Sequence, residues 1–334
     1  RKMQAIDFHC DTLSRLREAE REGRPQSFSH NDFHIDLDKL KRGGYLMQCF
    51  AAFVYLGDRE CSPLASALEQ IDIFYRIMDQ YPDAIRQVRN CEDLDRVRRE
   101  GKIGAMLTVE EGGACLGSIG VLNTLYRLGV RIMTLTWNFE NELAYPNRMP
   151  GRVPGIVKSE AETEHGLKEK GFAFVEEMER LGMIVDVSHL SDAGFWDVAR
   201  HAARPFIASH SNARAVCGHV RNLTDDMLRA VAEKGGITGI NYCAAFLDGR
   251  EDEENCFGTV AQMADHIEHI RQVGGLDMIA LGSDFDGIGD NLELKDCSMV
   301  PLLADELHRR HYSDDAIEQI FSGNALRLFR DTLC

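Results

Sequence analysis

The chain has 334 residues, of which 44% are hydrophobic and 28% are charged, a composition typical of a packed globular protein that excludes a largely disordered one. Its formal net charge is −16, from 38 Lys and Arg against 54 Asp and Glu. We therefore expect neither nucleic acid nor an anionic membrane as the main partner, because both require clustered basic residues.

The ten cysteines form no C-x-x-C pair and are irregularly spaced, which indicates neither a zinc ribbon nor a small disulfide scaffold. Free thiols in this number favour a reducing compartment, so we expect a cytoplasmic protein. No run of 18 apolar residues occurs, so we expect no membrane span. The segment Arg1–Ile6 enters a strand-like run at once and leaves no room for a signal peptide, while a precursor trimmed before Arg1 stays open.

Eight short apolar segments alternate with segments of helical spacing, and most of the apolar segments end in a polar or charged residue. Their continuous apolar character predicts strands buried on both faces, as in a parallel sheet. Pro63 is expected in the first turn of one helix, and Ser191 and Thr224 as the N-caps of two others. The predicted strands are Ala5–His9, Gln48–Val54, Gly104–Glu110, Arg131–Trp137, Met183–His189, Pro205–His210, Gly236–Asn241 and Met278–Asp284.

This alternation predicts an α/β fold, a single (β/α)8 barrel domain over residues 1–334, with a doubly wound open sheet as the less favoured alternative. Two irregular, polar stretches interrupt the alternation, near residues 12–45 and 138–165. Both follow strand ends, where barrel enzymes carry their active-site loops, so we expect both insertions beside the active site.

The first strand ends in Asp7-Phe8-His9-Cys10-Asp11. Residues two apart on an extended chain face the same side, so His9 and Asp11 can point together into the barrel mouth. An imidazole nitrogen and a carboxylate oxygen suit zinc, although a lone H-x-D string is a common pattern. Cys10 lies between the two candidate ligands and should point away from them, so we do not interpret it as a nucleophile.

Four further strand ends carry His, Asp or Glu at the same predicted rim: strands three, five, six and eight. A solitary histidine is usually structural, but convergence of such residues from five of eight strands indicates a metal site. The absence of a G-x-S-x-G motif and of a Walker loop removes the commonest serine-hydrolase and NTPase alternatives. The residues concerned are Glu110 and Glu111, His189, His210, and Asp284 and Asp286.

The strings IDFHCDTL, VEEGG, DVSHLS, SHSNARAVCGHVRN and GSDFDG, read in this order, resemble the successive signatures of the renal (membrane) dipeptidase family. They extend from residue 6 to residue 287 and so cover nearly the whole chain. The run TWNFENELAYPN resembles the bacterial branch of that family.

The resemblance implies two Zn²⁺ ions per chain. It implies His9 and Asp11 as ligands of one ion, His189 and His210 as ligands of the other, and Glu111 as the bridging carboxylate. Glu111 is preferred to Glu110 because it immediately precedes the Gly-Gly of the family's E-G-G string. No lysine ends the fourth strand, so a carbamylated-lysine bridge is not expected.

The resemblance also places Asp284 beside the first metal and the nucleophilic water, with Asp286 as the runner-up for that role. Two cations about 3.5–4 Å apart would share a hydroxide at near-neutral pH. Asp284 would accept the water's proton and deliver it to the leaving amine, and Glu111 would support catalysis as the bridge.

The substrate contacts implied by the resemblance include Arg221 as the clamp for the free carboxylate, a role that suits a planar guanidinium. Animal members carry T-L-T-H where this chain has Thr-Leu-Thr-Trp137, and Trp137 offers only an indole N–H. Asn138 is then expected to help stabilise the oxyanion. Tyr242 is the candidate replacement for a family tyrosine expected nearer Cys243.

These features predict a metal-dependent dipeptidase that accepts dipeptides, including those with a C-terminal D-residue. One alternative keeps the barrel and its metals but acts on N-acyl amino acids or cyclic amides. Another is a non-catalytic metal-binding barrel, which the intact set of ligands argues against. A homodimer is expected from the resemblance alone.

Overall fold

The computed structural model describes residues 3–249 and 255–334, and within them the strands form one curled sheet in which all pairings are parallel. Its strands are β1 (Ala5–Asp7), β2 (Tyr45–Phe53), β3 (Ile85–Gln87), β4 (Ile103–Glu110), β5 (Val130–Thr134), β6 (Ile184–Asp186), β7 (Thr238–Ile240) and β8 (Ile279–Leu281). Neighbouring strands follow the order β6-β5-β4-β2-β1-β8-β7, and β3 pairs with β4 beside this path. The prediction missed β3.

The predicted sixth strand, Pro205–His210, does not form a regular strand. It makes single parallel bridges instead, from Ile207 to Asp186 of β6 and from Ala208 to Thr238 of β7. The segment therefore lies between β6 and β7 and closes the sheet. The predicted (β/α)8 barrel is confirmed, with this segment as its sixth position.

Thirteen helices occur in the described part of the chain. The predicted N-caps are present, since the Ser191 hydroxyl accepts from the Gly194 N–H (2.9 Å) and Thr224 accepts from the Met227 N–H (3.3 Å). The helices are α1 (Thr12–Arg21), α2 (Leu37–Gly43), α3 (Pro63–Gln80), α4 (Cys91–Glu100), α5 (Ile119–Arg127), α6 (Glu169–Leu181), α7 (Asp192–His201), α8 (Asp225–Glu233), α9 (Ala244–Leu247), α10 (Val260–Gly274), α11 (Pro301–Arg309), α12 (Asp314–Glu318) and α13 (Asn324–Leu333).

Side chains along β4 alternate between two apolar clusters. Leu107 and Val109 pack in the larger cluster, to which the helices contribute, whereas Met106 packs in a second cluster with residues from other strands. Because successive strand residues face opposite sides, Thr108 and Glu110 share the side of Met106. Glu110 therefore faces the same side of β4 as Met106, toward the ends of the other strands.

The two insertions differ in structure. The first contains α1 and α2, whereas residues 138–165 contain no helix or strand and are held by bridges such as Arg148 to Glu160. None of the helices formed by residues 3–249 and 255–334 combines the length and the apolar character that a membrane crossing needs.

A disulfide joins Cys91, at the start of α4, to Cys334, just after α13, with their Cα atoms 5.5 Å apart. The expectation of free thiols is wrong for this pair, and the other eight cysteines form no disulfide within the part of the chain that the structure describes. The two residues are 243 positions apart in the sequence, so their spacing gave no indication of the contact.

Candidate active site

The carboxyl ends of the barrel strands bring five of the six predicted ligands, together with Glu110, into a single buried cluster. Three overlapping sets of side chains each have ligand atoms within 4.8 Å of one another. The sets are His9, Asp11 and Glu110; Glu110, His189 and His210; and His9, His210 and Asp284.

Glu110 lies at the centre of this cluster. Its Oε2 is 3.4 Å from Nε2 of His9, 3.3 Å from Nε2 of His189 and 3.2 Å from Nε2 of His210. Glu110 is the one carboxylate that belongs to two of these sets among the described residues.

Glu111 lies outside this cluster. Its carboxylate accepts hydrogen bonds from the backbone N–H of Gly113 (2.8 Å) and Trp137 (2.9 Å) and from the Asn141 side chain. The backbone at Glu111 has φ 104°, which ends the alternation of β4 and turns this side chain away. The carboxylate of Glu111 therefore fixes the loop around Trp137 and does not occupy the bridging position that was expected for it.

Hydrogen bonds determine which ring nitrogen of His210 carries the proton. The Ser209 hydroxyl donates to Asp186 Oδ2 (2.5 Å) and lies 2.7 Å from Nδ1 of His210. Because the hydroxyl proton is committed to Asp186, Nδ1 must donate to the Ser209 oxygen. Nε2 of His210 is therefore unprotonated, and its lone pair faces Glu110, as a metal-binding imidazole requires.

The two ring nitrogens of His189 are arranged in the same way, but Nδ1 has a different hydrogen-bond partner. Its Nδ1 lies 2.9 Å from Oδ1 of Asn138, which as a carbonyl oxygen can only accept. Nε2 of His189 is then also bare, and it lies only 3.2 Å from Nε2 of His210. Two facing lone pairs are compatible when a cation lies between them. Asn138, expected at the oxyanion, instead orients a ligand.

Carboxylates surround His9 on the other side of the cluster. Nε2 of His9 is 3.3 Å from Asp11 Oδ2 and 3.6 Å from Asp284 Oδ1. Asp11 Oδ1 is buried and has no hydrogen-bond partner among the described residues. A Cβ at Gly287 would lie 2.0 Å from Asp11 Oδ2, so glycine is required for this approach.

Burial opposes charge at this cluster. Burial, with help from Arg221, lowers the pKa of His189 to about 3, and burial lowers the pKa of His210 as well. Burial and the neighbouring Glu110 carboxylate raise the pKa of Asp11 well above its ordinary value. Although burial opposes its charge, the Glu110 and Asp11 carboxylates raise the pKa of His9 well above its ordinary value. Imidazoles, crowded carboxylates and an unpartnered carboxylate oxygen are the donor set of a divalent metal site, so these residues fit zinc.

Backbone strain is concentrated at the same place. Glu111, His189, Asp284 and Asp286 all have positive φ, between 64° and 104°, although none is glycine. Such conformations are costly for residues with a Cβ and occur mainly at functional sites. The sharp turns at the strand ends let neighbouring residues face different directions.

Asp286 occupies a supporting position beside the cluster. Its Oδ2 accepts from the Thr12 hydroxyl and its Oδ1 from the His34 N–H, both at 2.7 Å. These two hydrogen bonds hold the loop that follows β8 against the first insertion. Asp284 Oδ2 instead accepts from the Asn241 amide (3.1 Å), which sequence reasoning did not single out.

Arg221 is buried beside the cluster, where it donates to the Ser211 hydroxyl (3.1 Å) and to the His210 carbonyl (2.9 Å). Its Nε is buried without a partner among the described residues. The Trp137 ring lies 6.2 Å from the His189 ring, so both Arg221 and Trp137 border the site.

Tyr242 does not border the candidate active site. Its side chain is only 1% exposed and packs against Phe285, with ring centroids 5.4 Å apart. The substrate contact expected for Tyr242 is corrected accordingly. The next residue, Cys243, is close enough to Asp284 for that carboxylate to help burial raise its pKa to about 12.

Comparison of the sequence with known proteins agrees with the resemblance found in the motifs. The family model described as Membrane dipeptidase (Peptidase family M19) matches residues 1–333. Human Dipeptidase 3 is 32% identical over 340 residues, which cover 99% of this chain and 65% of the human protein. An uncharacterised *Klebsiella pneumoniae* protein from the pqqA 5′ region is 32% identical over 271 residues, 80% of this chain and 97% of that protein.

Solved structures match over the whole fold. The metallopeptidase named dipeptidase AC has a TM-score of 0.87 at 25% identity, with 100% of this chain and 99% of that one covered. A *Rhodobacter sphaeroides* metallopeptidase liganded with a phosphinate mimic of the dipeptide L-Ala-D-Ala has a TM-score of 0.86 at 25% identity, covering 99% and 100%. The chain belongs to the membrane dipeptidase family, and the prediction of a metal-dependent dipeptidase is confirmed at the level of that family.

Proposed function

We propose that this protein is a zinc dipeptidase with two ions per chain, which hydrolyses the one peptide bond of a dipeptide. The observation that carries the proposal is the position of Glu110 Oε2, within 3.4 Å of Nε2 of three histidines. In our assignment His9 and Asp11 hold one ion, His189 and His210 hold the other, and Glu110 bridges them. Mixed imidazole and carboxylate ligands favour zinc over harder ions.

Bound zinc would acidify a water molecule and polarise the scissile carbonyl. Asp284 is the group that takes the proton, because its carboxylate lies at the cluster and is only 8% exposed. The Asn241 amide donates to Oδ2 of Asp284 and so fixes the carboxylate. Asp284 then delivers the proton to the leaving amine.

Arg221 is the proposed holder of the substrate's terminal carboxylate. Two of its nitrogens are held by Ser211 and by the His210 carbonyl, so the guanidinium is oriented before substrate binds. A clamp on the carboxylate leaves the last side chain loosely held, which supports hydrolysis of dipeptides with a C-terminal D-residue. The L-Ala-D-Ala mimic bound to the *Rhodobacter sphaeroides* relative supports the same substrate class.

We further propose that residues 1–334 form a single catalytic domain that assembles as a homodimer. Cytoplasmic location stays a prediction from the number and irregular spacing of the cysteines. The Cys91–Cys334 disulfide counts against it, because disulfides persist mainly in oxidising compartments.

A comparison of Glu110→Gln with Glu111→Gln tests the proposed bridge. Glu110→Gln should lose most bound zinc and nearly all hydrolysis of L-Ala-L-Ala, while Glu111→Gln should keep more metal, because its carboxylate lies outside the cluster. Metal analysis and circular dichroism on both variants separate lost ligation from lost folding. Two retained equivalents of zinc in an active Glu110→Gln protein would refute the assignment.

The substrate class is tested by assaying L-Ala-L-Ala, L-Ala-D-Ala and their N-acetylated forms with the zinc-loaded protein. We expect hydrolysis of both free dipeptides at comparable rates and poor hydrolysis of the acetylated forms. Preference for the acetylated forms would favour an amidohydrolase of N-acyl amino acids, and activity restricted to the L-L substrate would remove the claim for D-residues.

A further inference from the structure

Four aromatic side chains form what we call the rim cluster: Phe53, Tyr55, Trp137 and Phe139. They lie at or just beyond the carboxyl ends of β2 and β5, and each ring contacts at least one other ring of the group. The ring centroids of Phe53 and Trp137 are 4.9 Å apart, and those of Tyr55 and Phe139 are 5.5 Å apart. The cluster is therefore a continuous aromatic wall rather than a set of separate side chains.

The guanidinium of Arg152 covers this wall. Its central carbon is 5.0 Å from the Trp137 ring centroid and 5.5 Å from those of Tyr55 and Phe139. Within residues 3–249 and 255–334 its side chain makes no hydrogen bond or ion pair. A guanidinium held over aromatic rings by cation–π attraction keeps its N–H edge available for a carboxylate.

Other cations in the same loop are already paired. Arg148 contacts Glu160 (3.3 Å), and Lys168 contacts Glu140 (2.6 Å). Arg152 is exposed and is held by rings instead of by an acid. In a chain of net charge −16, such a positive group at the edge of the active site would offset the repulsion of an acidic substrate.

The rim cluster lies on one side of the barrel mouth, opposite Arg221. It extends from β2 to β5, and Trp137 is the member that reaches the metal-ligand cluster, at His189. Arg221 follows the sixth barrel position and lies near Asp284, across the mouth. With the terminal carboxylate of a dipeptide at Arg221 and its peptide bond at the cluster, the amino-terminal side chain would lie on the side of the rim cluster and Arg152.

We propose that Arg152 is a specificity-determining residue that selects dipeptides whose amino-terminal residue carries a carboxylate, Asp or Glu. This inference rests on the proposed dipeptidase function. The aromatic wall contacts the methylene groups of that side chain, and the N–H edge of Arg152 binds its carboxylate.

The test compares kcat/KM for L-Glu-L-Ala, L-Gln-L-Ala and L-Ala-L-Ala with the zinc-loaded protein. Glu and Gln differ in charge but hardly in shape, so their ratio isolates the charge of the substrate. We expect a preference for L-Glu-L-Ala of about tenfold, the size of a charge-assisted hydrogen bond at a partly exposed position. This preference should weaken in 0.5 M salt because screening reaches exposed charges.

Arg152→Gln should abolish the preference, so that L-Glu-L-Ala and L-Gln-L-Ala are hydrolysed with equal kcat/KM. Arg148→Gln, in the same loop, is the matched control and should keep the preference. Equal rates for Glu and Gln substrates in the unmodified protein would overturn the inference while leaving the dipeptidase function intact. A preference for Glu that survives Arg152→Gln would overturn it as well, and hydrolysis of none of the three dipeptides would refute both proposals.

Discussion

The Asp186 carboxylate and the Ser209 hydroxyl together determine which nitrogen of His210 is free to bind metal. Ser209 donates to Asp186 and accepts from Nδ1 of His210. A similar pair lies across the barrel, where Ser283 donates to Asp7 (2.5 Å), but there the serine contacts the His9 carbonyl rather than an imidazole. Thus two buried Asp–Ser pairs tie neighbouring strand ends together, and one of them also orients His210, a proposed metal ligand.

Ser209→Ala should weaken zinc binding by about 10–100-fold, the usual effect of removing a hydrogen-bond partner from a ligating histidine. The measurement is zinc affinity by competition with a chelator. Ser283→Ala is the control, because it removes an equally buried hydroxyl that contacts no imidazole. Equal losses of zinc affinity in the two variants would show that the hydroxyl only supports the fold.

Asp284→Asn should lower kcat for L-Ala-L-Ala by about 10²–10⁴, because an amide cannot carry the proton to the leaving amine. KM should change less. Asp286→Asn provides the comparison, since Asp286 contacts Thr12 and His34 and is not among the grouped ligands. Should Asp286→Asn reduce kcat more than Asp284→Asn, the proton carrier would have to be reassigned.

Arg221→Ala should raise KM for L-Ala-L-Ala and L-Ala-D-Ala alike by about 10–100-fold, which corresponds to a charge-assisted hydrogen bond of about 1.5–3 kcal/mol. Arg221→Lys should recover only part of this loss, because an ammonium cannot make the bidentate contact. Steady-state kinetics on both substrates check the expectation. A normal KM in Arg221→Ala would mean that the carboxylate is held elsewhere.

His266 should make the protein sensitive to acid. Its Nδ1 accepts from the Ala213 N–H (3.1 Å), and burial lowers its pKa to about 4. In the unfolded chain its pKa is about 6.5, so between these values the unfolded state binds more protons. The free energy of unfolding should therefore decrease as the pH falls from about 6.5 to 4, by at most about 3 kcal/mol from this group.

Urea unfolding of the metal-free protein at several pH values measures this decrease. His266→Asn keeps an acceptor for Ala213 but does not titrate, so it should lose that part of the pH dependence. His308→Asn is the control, because its side chain is 45% exposed. If the three proteins show the same pH dependence, His266 is not the responsible group.

The Cys91–Cys334 disulfide should stabilise the fold by about 2–5 kcal/mol, because it closes a long loop in the unfolded chain. Cys334→Ser should lower the free energy of unfolding by that amount under oxidising conditions and change nothing under reducing ones. Cys61→Ser, which removes a free thiol, is the matched control. Equal stability of Cys334→Ser and the unmodified protein under oxidising conditions would show that the bond does not form.

Local pattern in the sequence was sufficient for the barrel and for most of the candidate site. Apolar runs that end in His9, His189, His210 and Asp284 specify both the strands and the rim on which these side chains meet, because parallel strands place all their carboxyl ends together. The position of Glu110 at this rim could also be read from the sequence. Leu107 and Val109 alternate with Thr108 and Glu110, so Glu110 shares the polar face, whereas the E-G-G string favoured Glu111.

Tertiary structure alone decided the remaining features. The positive φ of Glu111 directs its carboxylate to Asn141, and the burial of Tyr242 against Phe285 removes it from the site. The approach of Arg152 to the rings also joins residues that are distant in the sequence. Spacing along the chain encodes which face of one element a residue occupies, but contacts between elements depend on how strands and loops pack in three dimensions.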